Sequence, residues 1–116
     1  IELTFTASTL PTGLSESDLP LTGTFRLHSN YPNPFNPHTS IPFEIGDRRA
    51  VNVQLSVYNI LGQKVAILLN EQLLPGKYEV TWNARDQSGD MVPSGLYFYK
   101  MQAGAFREVG NMILVK

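Results

Sequence analysis

Apolar and polar side chains alternate along most of this sequence, which is the pattern of β-strands that bury one face. The alternation is clearest at residues 51–58, VNVQLSVY. Further short segments that alternate or are mainly apolar lie at 25–27, 41–45, 64–69, 77–83, 96–103 and 106–116. No segment has a sustained helical period, so the pattern predicts an all-β chain.

Turn-forming residues separate these segments, at Gly46-Asp47, Asn59–Gly62, Pro75-Gly76, Ser88-Gly89 and Gly104. Gly, Asn and Asp accept the backbone angles that tight turns need, and Pro restricts the chain to them. About seven short strands at such intervals are typical of a sandwich or a barrel. We predict an antiparallel β-sandwich of about seven strands. Its predicted core consists of Ile41, Phe43, Val53, Leu55, Val57, Tyr78, Val80, Trp82, Tyr97 and Tyr99.

The first 23 residues differ from the rest of the chain. Ile1, Leu3 and Phe5 alternate with polar residues, which predicts a short strand. Residues 7–23, ASTLPTGLSESDLPLTG, lose this period and have the composition of a linker. We therefore expect residues 1–23 to be a lead-in, with a strand that is either the last strand of a preceding domain or an extra edge strand here, and residues 24–116 to form the sandwich. Because the chain begins at Ile1 without a signal peptide, we expect it to be a mature or excised part of a longer protein.

Composition and charge restrict the possible functions. The net charge is −1, so the sequence has no basic footprint for nucleic acid. The chain has no cysteine, which excludes disulfides, thiol catalysis and thiolate metal sites. No apolar run approaches the roughly 18–20 residues that span a bilayer.

The polar residues contain no recognisable catalytic pattern. Asp86, Ser88 and Asp90 alternate as at the start of a calcium loop, but the later acidic ligands of such a loop are missing. A polar turn that caps its own backbone is the favoured interpretation. The only histidines, His28 and His38, are not accompanied by carboxylates at ligand spacing. We expect no enzyme activity, no metal and no cofactor.

Four blocks of residues occur in a specific order along the chain. The first is NYPNPFNP at residues 30–37, and TSIPF at 39–43 follows it closely. The second is VYNILGQKV at 57–65, and the third combines WNARD at 82–86 with SGLY at 94–97. The last is MILVK at 112–116. Residues 27–116 thereby resemble the type A C-terminal sorting domains of type IX secretion cargo, which are related to the immunoglobulin-like domain of flagellar hook-capping proteins.

The resemblance implies an immunoglobulin-like fold and a role as an export address. In that family the domain ends a secreted protein, an outer-membrane translocon recognises it, and a sorting transpeptidase then usually removes it. The positions implied for translocon recognition are Met112, Ile113, Leu114, Val115 and Lys116. The positions implied for the structural motif are Asn33, Pro34, Phe35, Asn36, Pro37, Trp82, Gly95 and Tyr97. Relatives carry a lysine directly before the last apolar run, where this chain has Asn111.

Further expectations follow from the resemblance and from the strand pattern. The partners would be the translocon, the transpeptidase and an upstream cargo domain, and the protein would reach the cell surface or the medium through the periplasm. A terminal strand can also offer an edge for strand addition by a receptor or by a second copy, which gives a possible homodimer.

Two alternative functions remain open. A carbohydrate-binding module of a secreted glycoside hydrolase would need several exposed aromatics in a row, drawn from Trp82, Tyr58, Tyr97 and Tyr99. A structural spacer would have a fully paired last strand and a dispensable tail.

Overall fold

The computed structural model describes residues 3–6, 25–46 and 49–116. The described residues form eight strands and contain no helix that could cross a membrane. In chain order the strands are β1 (Leu3–Thr6), β2 (Arg26–Leu27), β3 (Thr39–Ile45), β4 (Val51–Tyr58), β5 (Lys64–Leu73), β6 (Gly76–Trp82), β7 (Gly95–Ala103) and β8 (Phe106–Leu114).

The strands build two sheets of four, in the orders β1-β6-β3-β2 and β5-β4-β7-β8. Every pair of neighbouring strands is antiparallel. The seven strands from β2 onward form the predicted immunoglobulin-like sandwich, so the prediction of an all-β fold is confirmed. β1 pairs with β6 as an additional edge strand. Residues 7–24, which hold the predicted linker, lie outside the described part of the chain.

The core lies between the two sheets and follows the alternation of the strands. β3 has a strictly alternating burial pattern, in which Ile41, Phe43 and Ile45 point inward. All ten predicted core residues are buried. Further core side chains include Phe35, Leu68, Met101, Met112 and Leu114.

β5 and β8 depart from the predicted boundaries. β5 continues to Leu73, beyond the predicted end at Leu69, through the exposed residues Asn70, Glu71 and Gln72. β5 is an edge strand whose residues 70–72 are all exposed, so side chains on both of its faces reach solvent there and polar residues interrupt the apolar pattern. β8 ends at Leu114 instead of Lys116.

Candidate functional site

The five terminal residues divide between the core and the surface. Met112 and Leu114 are 0% and 1% exposed, whereas Ile113 and Val115 are each 44% exposed. This division follows from the two-residue period of a strand. Met112 pairs with Tyr97 in β7, and the two inward side chains fix the strand in the sandwich. Lys116 is exposed beyond the end of the strand, so the outward surface of the tail presents two apolar side chains and a cation.

The outer edge of this terminal segment is covered by the Pro/Asn-rich segment at 30–37. The Phe35 N–H donates to the Ile113 carbonyl at 2.9 Å, and the Val115 N–H donates to the Phe35 carbonyl at 3.0 Å. The Ile113 N–H donates to the Asn33 side-chain oxygen at 2.9 Å. The backbone of Ile113 and Val115 is therefore already paired on the side that faces away from β7.

Phe35 anchors this cover in the core. It is 1% exposed, and its ring centroid lies 5.7 Å from that of Trp82. Trp82 in turn meets Tyr97 edge to face at 5.4 Å. Offset and edge-to-face contacts of this kind add to the free energy gained by burying the rings. The three aromatics form a continuous row from the cover to β7, next to the terminal strand.

The polar atoms of this aromatic row bond to nearby loops. The Trp82 indole N–H donates to the Arg85 carbonyl at 2.9 Å, and the Tyr97 hydroxyl donates to the Pro93 carbonyl at 2.6 Å. Burial raises the pKa of Tyr97 above its ordinary value, because a phenolate would lose its hydration. Gly95, at the start of β7, pairs with Leu114 and has a positive φ of 149° that favours glycine.

Of the residues implied by the resemblance, Asn33, Phe35, Trp82, Gly95 and Tyr97 converge on the last strand. Pro34, Asn36 and Pro37 lie in the same covering segment, where Pro34 and Asn36 are exposed and Pro37 is half-buried. These three residues connect the cover to β3, and within the described part of the chain the Asn36 side chain makes no hydrogen bond to the last strand. The convergence of the other five is a structural fact, whereas recognition by a translocon stays a prediction.

Besides the contact of Trp82 with Tyr97, Tyr99 makes a second connection between the two sheets. The sequence analysis did not predict it. Its hydroxyl donates to the His28 carbonyl at 2.9 Å and accepts from the Asn30 N–H at 3.1 Å. Burial raises the pKa of Tyr99, as does the charge of Glu108, while the Asn30 N–H opposes the shift. The Tyr99 ring crosses over Gly110 in β8. The signal in the sequence was a glycine inside a strand pattern, which marks close approach.

The turn at residues 86–90 matches the backbone-capping interpretation. The Asp86 carboxylate accepts from the N–H groups of Ser88 and Asp90 at 2.9 and 3.0 Å. No group of three or more His, Asp or Glu side chains that could hold a metal occurs in the described residues. The carboxylate is thus occupied in ordering its own loop.

The two histidines lie apart, and one of them has a carboxylate partner that sequence spacing did not reveal. His28 lies 2.6 Å from Glu44, because the pairing of β2 with β3 brings the two side chains together. His38 lines an open cleft of about 660 Å³ together with Asn83, Arg85 and Gln87. The Gln87 side chain accepts from the Ile67 N–H and the Arg85 side chain donates to the Gly89 carbonyl, so these two groups stabilise the cleft walls.

The aromatics proposed for a sugar platform are mostly buried. Trp82, Tyr97 and Tyr99 are 2%, 5% and 2% exposed. Tyr58 is half-buried, with the Lys100 ammonium 5.3 Å from its ring centroid. A row of exposed rings on one face therefore cannot be built from these four residues.

Comparison with known proteins identifies the family of this sandwich. Residues 35–105 match the family model of the FlgD Ig-like domain. No curated protein matches the sequence.

Several solved structures share the fold. Dimeric latent PorU from Porphyromonas gingivalis matches at a TM-score of 0.61 and 20% identity, over 78% of this chain and 9% of PorU. PorZ, a surface component of the type IX secretion system of the same organism, matches at 0.52 and 20% identity, over 78% of this chain and 11% of PorZ. The DNA glycosylase AlkC from Pseudomonas fluorescens matches at 0.55 and 15% identity, over 79% of this chain and 30% of AlkC.

At such identities the likeness shows the fold alone, and this chain corresponds to a minor part of each protein. The match to the family model is more informative, since it spans more than half of the 116 residues. The chain belongs to the family of FlgD Ig-like domains.

Proposed function

We propose that this domain is a non-catalytic sorting domain, which directs an exported cargo protein through the outer membrane to the cell surface by the type IX route. The observation that carries the proposal is the arrangement of the last strand. Met112 and Leu114 hold it in the core, and Ile113, Val115 and Lys116 remain at the surface. A receptor can recognise the exposed side chains of such a segment while the domain stays folded.

The covered edge restricts how a receptor could bind residues 112–116. Phe35 and Asn33 already bond the backbone of Ile113 and Val115, so strand addition at that point would require Phe35 to leave the core. Removing a buried Phe costs about 3–5 kcal/mol. The proposed receptor therefore binds the outward side chains of Ile113 and Val115 and the charge of Lys116.

The description of one structure that shares the fold supports this proposal. PorZ is a surface component of the type IX secretion system, and PorU shares the same fold at a similar identity. Our proposal assigns this chain an outer-membrane translocon and a sorting transpeptidase as partners, and an upstream domain as cargo. The location that follows is the cell surface or the medium, reached through the periplasm.

The test is export of a reporter fused in front of residues 1–116 in a host with the type IX machinery. Deleting residues 112–116 would remove two core side chains and confuse misfolding with lost recognition. The double variant Ile113→Asp/Val115→Asp changes only exposed positions. We expect the wild-type fusion on the surface and the variant in the periplasm, with unchanged thermal unfolding of the purified domain.

A matched control is Gln72→Asp/Leu74→Asp, which places the same two charges, at the same spacing, on exposed positions at the opposite end of the sandwich. This variant should be exported like the wild type. Equal export of the Ile113→Asp/Val115→Asp fusion would exclude the side chains of Ile113 and Val115 as the address.

A structural spacer is the second candidate, and one observation favours it. The last strand is bonded on both edges between Ile113 and Val115, as expected for a closing strand. If the wild-type fusion stays in the periplasm in a folded state, the spacer function is the better account. The carbohydrate-binding alternative has no comparable support, because its aromatics lie in the core.

A further inference from the structure

The first half of β8 differs from its covered end. Ile113 directs its N–H and carbonyl away from β7, so the alternate residues Asn111, Val109 and Arg107 do the same. The Asn111 carbonyl accepts a long bond of 3.5 Å from the Asn33 side chain. The outward backbone groups of Val109 and Arg107 have no partner among the described residues. Within the described part of the chain, β8 thus offers a short open edge at residues 107–109.

The sheet face beside this edge is basic. The outward positions of β4, β7 and β8 carry Lys100 and Arg107, and none of these positions carries Asp or Glu. Glu108, the single carboxylate of β8, lies on the opposite face of the strand. The chain as a whole has a net charge of −1, so this face is an exception within a slightly acidic protein.

An apolar hollow lies on the same face. It has a volume of about 290 Å³ and is lined by Tyr58, Ile60, Phe98, Lys100 and Val109, among others. Ile60 and Val109 are 70% and 58% exposed. Open backbone groups, an apolar hollow and cations consequently adjoin one another within a few residues of Val109.

We propose that this region binds an extended acidic peptide segment of a partner protein, which adds as a further strand beside residues 107–109. The open N–H and carbonyl groups of Arg107 and Val109 would bond its backbone. Apolar side chains of the peptide would enter the hollow, and its carboxylates would pair with Arg107 and Lys100. This surface does not include residues 112–116, so it goes beyond the proposed sorting function.

A second copy of the chain fits this edge poorly. Antiparallel pairing centred on Val109 would place Arg107 opposite Asn111, with no carboxylate to meet it. Shifting the register by two residues would set Glu108 against its own counterpart, and like charges directly opposite are destabilising. The basic face favours an acidic partner of different sequence. The open backbone edge favours a peptide over a sugar chain, because a sugar chain lacks the regularly spaced N–H and carbonyl groups that pair with a strand.

The experiment uses the full chain of 116 residues and a fluorescent peptide of about nine residues, in which threonine alternates with valine or glutamate. A second peptide has the same sequence with N-methyl groups on alternate residues, which remove its strand-pairing donors. A third carries lysine in place of glutamate. We expect the first peptide to bind and both others to bind at least about tenfold more weakly.

Two variants locate the site, and one serves as control. Val109→Pro removes an N–H that points away from β7, so it deletes no bond of the sheet, and Arg107→Glu reverses the nearest charge. Each should weaken binding by about tenfold. Lys116→Glu makes the same charge reversal outside the proposed site and should leave peptide binding unchanged. Backbone amide shifts in NMR spectra should concentrate at residues 106–111.

Several results would overturn the proposal. They are no binding of the acidic peptide, equal binding of the N-methylated peptide, or amide shifts centred away from β8. Complete displacement of the peptide by a polyuronate oligosaccharide, without any loss on N-methylation, would assign the face to acidic sugars instead. None of these results depends on export, so the peptide-binding experiment and the export assay test the two proposals independently.

Discussion

The ring of Tyr99 lies across Gly110, its partner in the ladder between β7 and β8. From there the Tyr99 hydroxyl reaches the His28 carbonyl and the Asn30 N–H, just beyond β2 in the other sheet. Only a residue without a side chain leaves this path open, because a Cβ atom at position 110 would overlap the outer ring atoms of Tyr99. The glycine therefore allows one tyrosine to tie the two sheets together beside the edge of β8.

Gly110→Ala should destabilise the domain by about 2–3 kcal/mol, since the added methyl group forces Tyr99 out of its position. The measurement is urea unfolding followed by Trp82 fluorescence. Asn111→Ala is the control, because this neighbouring side chain is exposed, and its cost should stay within about 0.5 kcal/mol. The double variant Gly110→Ala/Tyr99→Leu should lose less stability than the two single variants lose together. Equal stability of Gly110→Ala and wild type would contradict the overlap.

Asn33→Ala removes the acceptor of the Ile113 N–H and should leave the rest of the cover in place. We expect a loss of about 1 kcal/mol and faster hydrogen exchange at Ile113, by about tenfold. The Val115 amide, which bonds to the Phe35 carbonyl, should change less. Asn36→Ala is the matched control from the same segment. Unchanged exchange at Ile113 would show that Asn33 does not protect the terminal edge.

The sequence was sufficient to predict the strands and the core, because each sandwich strand buries one face and so repeats every two residues. β3 and β4 illustrate this, with their inward residues buried as predicted. The edge strand β5 was cut short in the prediction, since its second half has solvent on both faces and its polar residues no longer alternate with apolar ones. The two-residue period of a strand arises from burial of one face, so it does not predict the part of an edge strand that is exposed on both faces.

The cover over the last strand could not be predicted in the same way. Asn33 and Phe35 meet Ile113 across about 80 residues of sequence, and residues 30–37 have no period that would assign them a partner. Their prolines predicted only that the segment is neither helix nor central strand. The pair His28 and Glu44 was missed for a related reason, because it depends on the register of β2 against β3.

Phe35→Ala should remove the anchor of the cover and cost about 3–5 kcal/mol, because the ring is buried against Trp82 and leaves a cavity. Thermal unfolding measures the loss, and Phe35→Leu should cost less, since Leu fills part of the space. Leu61→Ala, at an exposed turn, is the control and should be nearly neutral. In folded Phe35→Leu, hydrogen exchange at Val115 should rise. A small effect of Phe35→Ala would mean that the cover is held by Asn33 alone.

Stability should fall at alkaline pH, and Tyr97 and Tyr99 should contribute to the loss. Burial raises the pKa of both above the ordinary value of 10.0. Above about pH 10 the unfolded chain releases these protons while the folded chain retains them, so the unfolded state binds fewer protons and unfolding becomes easier as pH rises. Below that pH both states are protonated, and the contribution of the two groups is constant.

Urea unfolding between about pH 8 and pH 11 measures this dependence. Tyr97→Phe loses the hydrogen bond to the Pro93 carbonyl and should be about 1 kcal/mol less stable than wild type at neutral pH. Its stability should then decline less steeply above pH 10, because one phenol that stays protonated in the folded state is gone. Comparing the two proteins cancels the titration of lysines, which is common to both. If the free energies of unfolding of wild type and Tyr97→Phe fell in parallel above pH 10, Tyr97 would ionise equally in the folded and unfolded chain.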